Sequence, residues 1–147
     1  MKLYLDSCCL NRPYDDLSQD KNRMESEAVL IIIDHYLDKN WNIFSSDILI
    51  DEAYRNPNIW TREKVLTFLS SFNNHIELND DIINRAKELS AYGLKSYDAL
   101  HISSAEYAEM DVFLTTERKL LNAANKANLS VRVMNPLMWI MEVFDNE

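Results

Sequence analysis

The sequence predicts an α/β protein, a three-layer α/β/α arrangement around a central, mostly parallel sheet of about five short strands. Short apolar runs recur along the chain, and segments with helical apolar spacing separate each run from the next. Only one glycine and three prolines occur in 147 residues, which leaves little room for long linkers. No repeat, low-complexity tract or composition shift divides the chain, so residues 1–147 are expected to form one domain with its own core.

Taken in order, Leu3 to Leu5 is the first expected strand, ending at Asp6. From Asp20 to Lys39 a long helix is expected, with Met24, Ala28, Ile31, Ile32 and Tyr36 on one face. Leu30, Ile33 and Leu37 widen that face beyond one core contact, so it meets either the core or another chain. Trp41 to Phe44 is the second strand. Ser45 and Ser46 then offer caps to a helix through "DILIDEAYR", which Pro57 ends. Thr61 is positioned to cap a helix through Phe68 and Leu69. "HIELN" reads as a strand, and Asp80 starts the helix "DIINRAKELSAY". Gly93 falls where that helix needs a left-handed residue to stop. Ser96 begins "YDALHISSAEYAEM", a helix with Leu100, Ile102, Ala105 and Ala108 as inward positions. "VFLT" and "SVRVM" are strands around the helix "ERKLLNAANKAN", and Pro136 opens a closing helix at its first position.

Fifteen Lys and Arg against twenty-four Asp and Glu give a net charge of -9. That excludes a broad basic clamp on nucleic acid. Any such role needs a local patch, or cations that reverse the local sign. The two cysteines, Cys8 and Cys9, are adjacent, a spacing suited neither to an unstrained disulfide nor to zinc. They are expected to be reduced and packed behind the first strand. No leader pattern opens the chain and no stretch approaches about eighteen apolar residues, so the expected location is the cytoplasm, away from membranes.

Most of the twenty-four acidic residues have polar neighbours and read as solvated. Four do not. Asp6 ends an apolar strand, Glu52 lies one turn after Ile48 inside "ILIDEAY", Asp98 sits in the first turn of a helix, and Glu117 follows "VFLTT". A parallel sheet can bring all four to its carboxyl edge, where ligands of such folds bind. Two carboxylates about 5 Å apart repel by roughly 3 kcal/mol at an effective dielectric near 20. Clustered acids therefore raise one another's pKa or attract a cation, and oxygen-only ligands suit Mg²⁺ or Mn²⁺. The ordinary alternative for Asp98 and Glu117 is a helix-start acid favoured by the dipole.

The stretches "LYLDSCCLNRP", "SSDILIDEAYR" and "YDALHISSAEYAEMDVFLTTERKLL" resemble, in this order, the PIN-domain ribonucleases, in particular the VapC-like toxins of bacterial toxin–antitoxin pairs. The resemblance implies a PIN-like fold and a metal-dependent endoribonuclease. Asp6, Glu52 and Asp98 map onto the first three metal-binding acids, and Glu117 onto the fourth. The family usually has aspartate there, in a Thr-x-Asp arrangement; here "TTE" supplies a glutamate, one methylene longer. Ser7 and Thr115 map onto hydroxyls that hydrogen-bond the site. Asn11 and Arg12 are candidates to meet substrate phosphate, and Lys95, Arg118 and Lys119 to form a local basic rim. The implied cofactor is Mg²⁺ or Mn²⁺. The implied partners are an RNA substrate, a small antitoxin protein and a second copy in a homodimer.

A second reading is a PIN-like module that has lost activity and serves as a protein- or RNA-binding scaffold. Four retained carboxylates argue against it. A haloacid-dehalogenase type of phosphohydrolase would want a second aspartate two residues after Asp6, where this chain has Cys8. His101, three residues after Asp98, is expected to be a packed histidine bonded to a neighbour rather than a general base. Trp41, Trp60 and Trp139 are expected in the core or an interface, although exposed tryptophans stack on bases.

Overall fold

The computed structural model describes all of residues 1–147. Five strands, β1 (Lys2–Leu5), β2 (Asn42–Ser46), β3 (Asn74–Ile76), β4 (Val112–Leu114) and β5 (Arg132–Met134), form one sheet in the order β3-β2-β1-β4-β5. Every pairing is parallel. Leu3, Tyr4 and Leu5 of the central strand are all buried, so both of its faces are covered. The chain runs outward from β1 through β2 to β3 and then returns to β4 on the other side of β1. The crevice of such a sheet opens where the order reverses, at the carboxyl ends of β1 and β4.

Eight helices connect and cover the strands: α1 (Ser7–Asn11), α2 (Asp20–His35), α3 (Asp47–Tyr54), α4 (Ile59–Ser71), α5 (Asp80–Leu89), α6 (Ser96–Tyr107), α7 (Arg118–Lys126) and α8 (Pro136–Asp145). Their starts are chemically specified. The Ser46 hydroxyl accepts from Leu49 N–H at 3.0 Å, and Asn58, Asn79 and Asn135 cap α4, α5 and α8 in the same way. Asn58, not Thr61, caps α4; Thr61 is a buried residue of its first turn. After α5 a 3-10 turn over Ser90–Tyr92 ends at Gly93, whose φ of 85° is the left-handed stop its composition suggested.

Other boundaries move by a few residues. The second strand starts at Asn42 because Trp41 caps the preceding turn, its N–H donating to Tyr36 C=O at 2.8 Å around Asn40 at a φ of 59°. Trp41 instead meets Trp139 edge-on at 5.0 Å in the core. The third strand begins one residue early and ends at Ile76, because Leu78 N–H turns away to Asp47 at 2.7 Å.

The buried stripe of α2 is Glu25, Ser26, Ala28, Val29 and Ile32, which keeps Ala28 and Ile32 of the expected apolar stripe but has Glu25 in place of Met24. Ala28 and Ile32 are core and Ile31, Ile33 and Tyr36 pack against it, while Met24, Leu30 and Leu37 are exposed. No helix is long and apolar enough to cross a membrane.

Candidate active site

Four elements deliver the four singled-out carboxylates to one cleft of about 390 Å³ at the carboxyl edge of the sheet. Asp6 follows β1, Glu52 is on α3, Asp98 is in the first turn of α6, and Glu117 stands just before α7. Ser7, Cys8, Asn11, Lys95, Ser96 and Tyr97 complete the lining.

Asp6 is fixed most tightly. It is buried and its carboxylate accepts from Ser7 N–H at 2.8 Å, which also caps α1. The Thr115 hydroxyl donates to its other oxygen at 2.9 Å and itself accepts from Glu117 N–H at 3.1 Å. Thr115 thus locks the first acid to the loop that carries the fourth. Glu52 is half-buried and meets His101 Nε2 at 3.2 Å, while the same nitrogen lies 3.8 Å from Asp6 Oδ1. Asp6, Glu52 and His101 form the tightest group able to hold a metal ion, with one ligand atom from each within 4.8 Å of the others. Asp98 and Glu117 line the same cleft outside that tight group.

The charges interact as such a cluster must. Burial, then the charge of Asp6, then those of Glu52 and Glu117, push the Asp98 carboxyl up to about 6, against the opposing pull of His101. No side-chain hydrogen bond within the chain relieves it. Burial pushes Glu52 up as well, but the His101 hydrogen bond and charge, with help from Ser7, leave it below the usual range. Burial would push His101 down; the bond to Glu52 and the charges of Asp6, Glu52 and Asp98 outweigh it, and His101 is raised.

A measurable stability change follows for the metal-free protein. A carboxyl lifted to about 6 binds more protons folded than unfolded, so its penalty is complete above that pH. The penalty vanishes as pH falls through the unfolded value near 4. Two pKa units correspond to about 3 kcal/mol, and solvent screening of this half-exposed group reduces that to roughly 1 kcal/mol. Asp98→Asn is therefore expected to melt above wild type in EDTA at pH 8 and together with it near pH 4.

Two residues occupy positions that sequence reasoning did not assign. Cys8 lines the cleft, its thiol 3.3 Å from both Asp6 and Thr115, whereas Cys9 is buried against Leu114 C=O; both are free. Arg12 is turned away from the cleft. It donates to Asp15 at 2.9 Å, Asn22 at 3.1 Å and the Thr116 hydroxyl at 2.7 Å. Its Nε lies 3.3 Å from the buried Glu25 carboxylate, at an angle that makes an ion pair but no hydrogen bond. Asn11 and Lys95 do line the cleft; Arg118 lines a neighbouring groove with Thr116 and Met138. Trp41 and Trp139 are core residues, while Trp60 is exposed beneath Lys64.

Among known sequence families, residues 3–126 match the PIN domain. The chain belongs to the PIN domain family. The matched span holds all four acids, and β5 and α8 lie beyond it. No functionally curated protein matches the chain. Solved structures with a similar PIN fold include VapBC2 from Rickettsia felis bound to a DNA fragment from its promoter, with a TM-score of 0.57 at 16% identity over 92% of this chain and 98% of that one. VapBC-1 from nontypeable Haemophilus influenzae gives 0.56 at 15% identity over 92% and 98%. A toxin–antitoxin complex from Klebsiella pneumoniae gives 0.54 at 19% over 88% and 98%. At these identities the likeness is one of fold.

Proposed function

We propose that this PIN protein is a divalent-metal-dependent endoribonuclease, the toxin of a two-protein toxin–antitoxin pair. The observation that carries the nuclease reading is the convergence of four carboxylates from four elements on one open cleft, one of them lifted by burial and by the charge of the others. Carboxylate oxygens that repel one another, with half-buried Glu52 and Asp98 among them, are a donor set suited to Mg²⁺ or Mn²⁺. Asp6, Glu52 and Asp98 would hold the ion, with Glu117 completing the set. When bound, it would supply a lowered pKa to attacking water and charge compensation at the phosphoryl oxygens.

The chain's own residues supply position. Thr115 and Ser7 N–H fix Asp6, and His101 fixes Glu52. Lys95 and Asn11 stand at the rim, where a phosphate of single-stranded RNA would be met. Arg12, engaged with Asp15, Asn22 and Thr116, supports the loop behind the site instead.

The toxin reading is supported by likeness in fold to the VapBC structures. A small antitoxin and a second copy of the chain are the proposed partners, and the exposed Leu30 of α2 and Leu37 in the turn after it offer an apolar surface for either.

The test is cleavage of defined single-stranded RNAs in Mg²⁺, Mn²⁺ or EDTA. Cleavage is expected only with metal. Glu52→Gln is expected to lower it more than about 100-fold, beyond the loss typical of residues outside the ligand set. Glu117→Gln, at an exposed position, is expected to lower it roughly 10-fold. Metal binding without cleavage of any RNA would favour the scaffold reading.

A further inference from the structure

A buried chain of hydroxyls runs behind the carboxylates and settles what His101 can do. Leu49 N–H donates to Ser46 Oγ at 3.0 Å, Ser46 Oγ lies 2.7 Å from Tyr4 Oη, and Tyr4 Oη lies 2.7 Å from His101 Nδ1. His101 Nε2 then faces Glu52. Ser46, Tyr4 and His101 are each fully buried.

With the His101 ring neutral, proton counting along this chain has one satisfactory solution. Leu49 N–H can only donate to Ser46, so the Ser46 hydroxyl must send its own proton to Tyr4 or leave it unpaired in the core. Burial holds the Tyr4 phenol far above its usual pKa, so it keeps a proton to pass on. With Ser46 donating to it, Tyr4 donates to His101 Nδ1. A neutral ring that accepts at Nδ1 carries its hydrogen on Nε2. The opposite tautomer would reverse both links and orphan the Ser46 proton, a cost of roughly tenfold or more in population.

We infer that the Ser46–Tyr4 relay holds His101 as an Nε2–H donor, making it a positioning residue for Glu52 and withholding its nitrogen from metal coordination. The geometry would otherwise permit coordination, since Nε2 sits among the Asp6 and Glu52 oxygens. The consequence is selectivity. With the imidazole withheld, the site offers oxygen to Mg²⁺ and Mn²⁺. With a bare Nε2 it would favour ions that prefer nitrogen, such as Ni²⁺. The relay also couples the three elements that carry Asp6, Glu52 and Asp98, because Tyr4 is on β1, Ser46 caps α3 and His101 is on α6. This selectivity claim rests on the metal-nuclease reading; the tautomer does not.

The test has two arms on the full chain. In the first, long-range nitrogen–proton NMR of ¹⁵N-histidine protein in EDTA, at a pH where the ring is neutral, reports the tautomer; His101 is assigned by the signal lost in His101→Gln. A hydrogen on Nε2 with a bare Nδ1 is expected, and a hydrogen on Nδ1 would overturn the proposal. In the second, melting temperatures are compared with Mn²⁺ and Ni²⁺ for wild type and Tyr4→Phe, which keeps the ring stacked on Phe113 at 5.1 Å. Tyr4→Phe is expected to gain roughly tenfold in apparent Ni²⁺ affinity relative to Mn²⁺. An unchanged ratio in a folded variant would overturn the selectivity claim. Rescue distinguishes positioning from packing: His101→Gln, which keeps an N–H, is expected to retain more Mg²⁺-dependent cleavage than His101→Ala at similar melting temperature. If no metal raises the melting temperature of wild type, the metal reading fails while the NMR arm still decides the tautomer.

Discussion

Asp6→Asn is expected to abolish both the metal-dependent rise in melting temperature and RNA cleavage, while leaving the metal-free fold intact. The substitution is conservative in structure. Asparagine caps a helix about as well as aspartate, and its carbonyl oxygen can take either the Ser7 N–H or the Thr115 hydroxyl. It is severe in charge. Asp6 is the most buried of the four carboxylates and lies in the tightest group of candidate ligands, so its negative charge faces the cation with the least solvent screening. Cleavage is expected to fall by more than about 100-fold, beyond the loss typical of residues outside the ligand set. Removing the charge also relieves Asp98 of its strongest repelling neighbour. The metal-free variant should therefore melt at or above wild type near pH 8. A variant that still responds to Mn²⁺ like wild type would remove Asp6 from the site.

Glu25→Ala is expected to produce the largest loss of stability. Glu25 is 2% exposed on α2 and gathers three partners: Arg12 Nε at 3.3 Å, Lys21 Nζ at 3.2 Å and Asn135 Nδ2 at 2.7 Å. Asn135 in turn caps α8, and Arg12 reaches Thr116 beside the site. One carboxylate therefore joins α2, α8 and the loops after α1 and β4. Its removal leaves a largely buried guanidinium short of charge, which costs roughly 3–5 kcal/mol for pairs of this kind. In a chain of this size that lowers the melting temperature by roughly 10 °C or more. Glu25→Gln, which keeps an acceptor for Asn135, should fall between the two. Equal melting of Glu25→Ala and wild type would show that the node contributes nothing.

These two residues also mark what the chain discloses before folding. Asp6 was legible because an apolar strand ends in a carboxylate, and parallel sheets place such ends at one edge. The same reasoning reached Glu52, Asp98 and Glu117, and the cleft contains all four. Glu25 was not assigned, because reading α2 by hydrophobicity alone put Met24 rather than Glu25 on the inward stripe. The signal was present: Glu25 is in register with Ala28, Val29 and Ile32, and a charged side chain on a buried stripe calls for a partner. Arg12 supplies part of that partnership, which is why it does not reach the cleft. His101 was expected to bond a neighbour and does, but its partners Tyr4 and Glu52 are distant in sequence. Pairings across such separations depend on how strands and helices stack, which local pattern does not encode. The short strands shifted by one to three residues for a similar reason, since Trp41 and Leu78 found hydrogen bonds outside the ladder.

The most direct test of the central claim is equilibrium binding of Mn²⁺, followed by loss of the free-ion electron paramagnetic resonance signal, in wild type, Asp6→Asn and Asp98→Asn. If the four carboxylates form a metal site, wild type binds Mn²⁺ saturably, Mg²⁺ competes, and each substitution weakens binding by at least roughly tenfold. If wild type leaves the free Mn²⁺ signal untouched at millimolar metal, or the substituted proteins bind as wild type does, the acidic edge is not a metal centre and the nuclease reading falls with it.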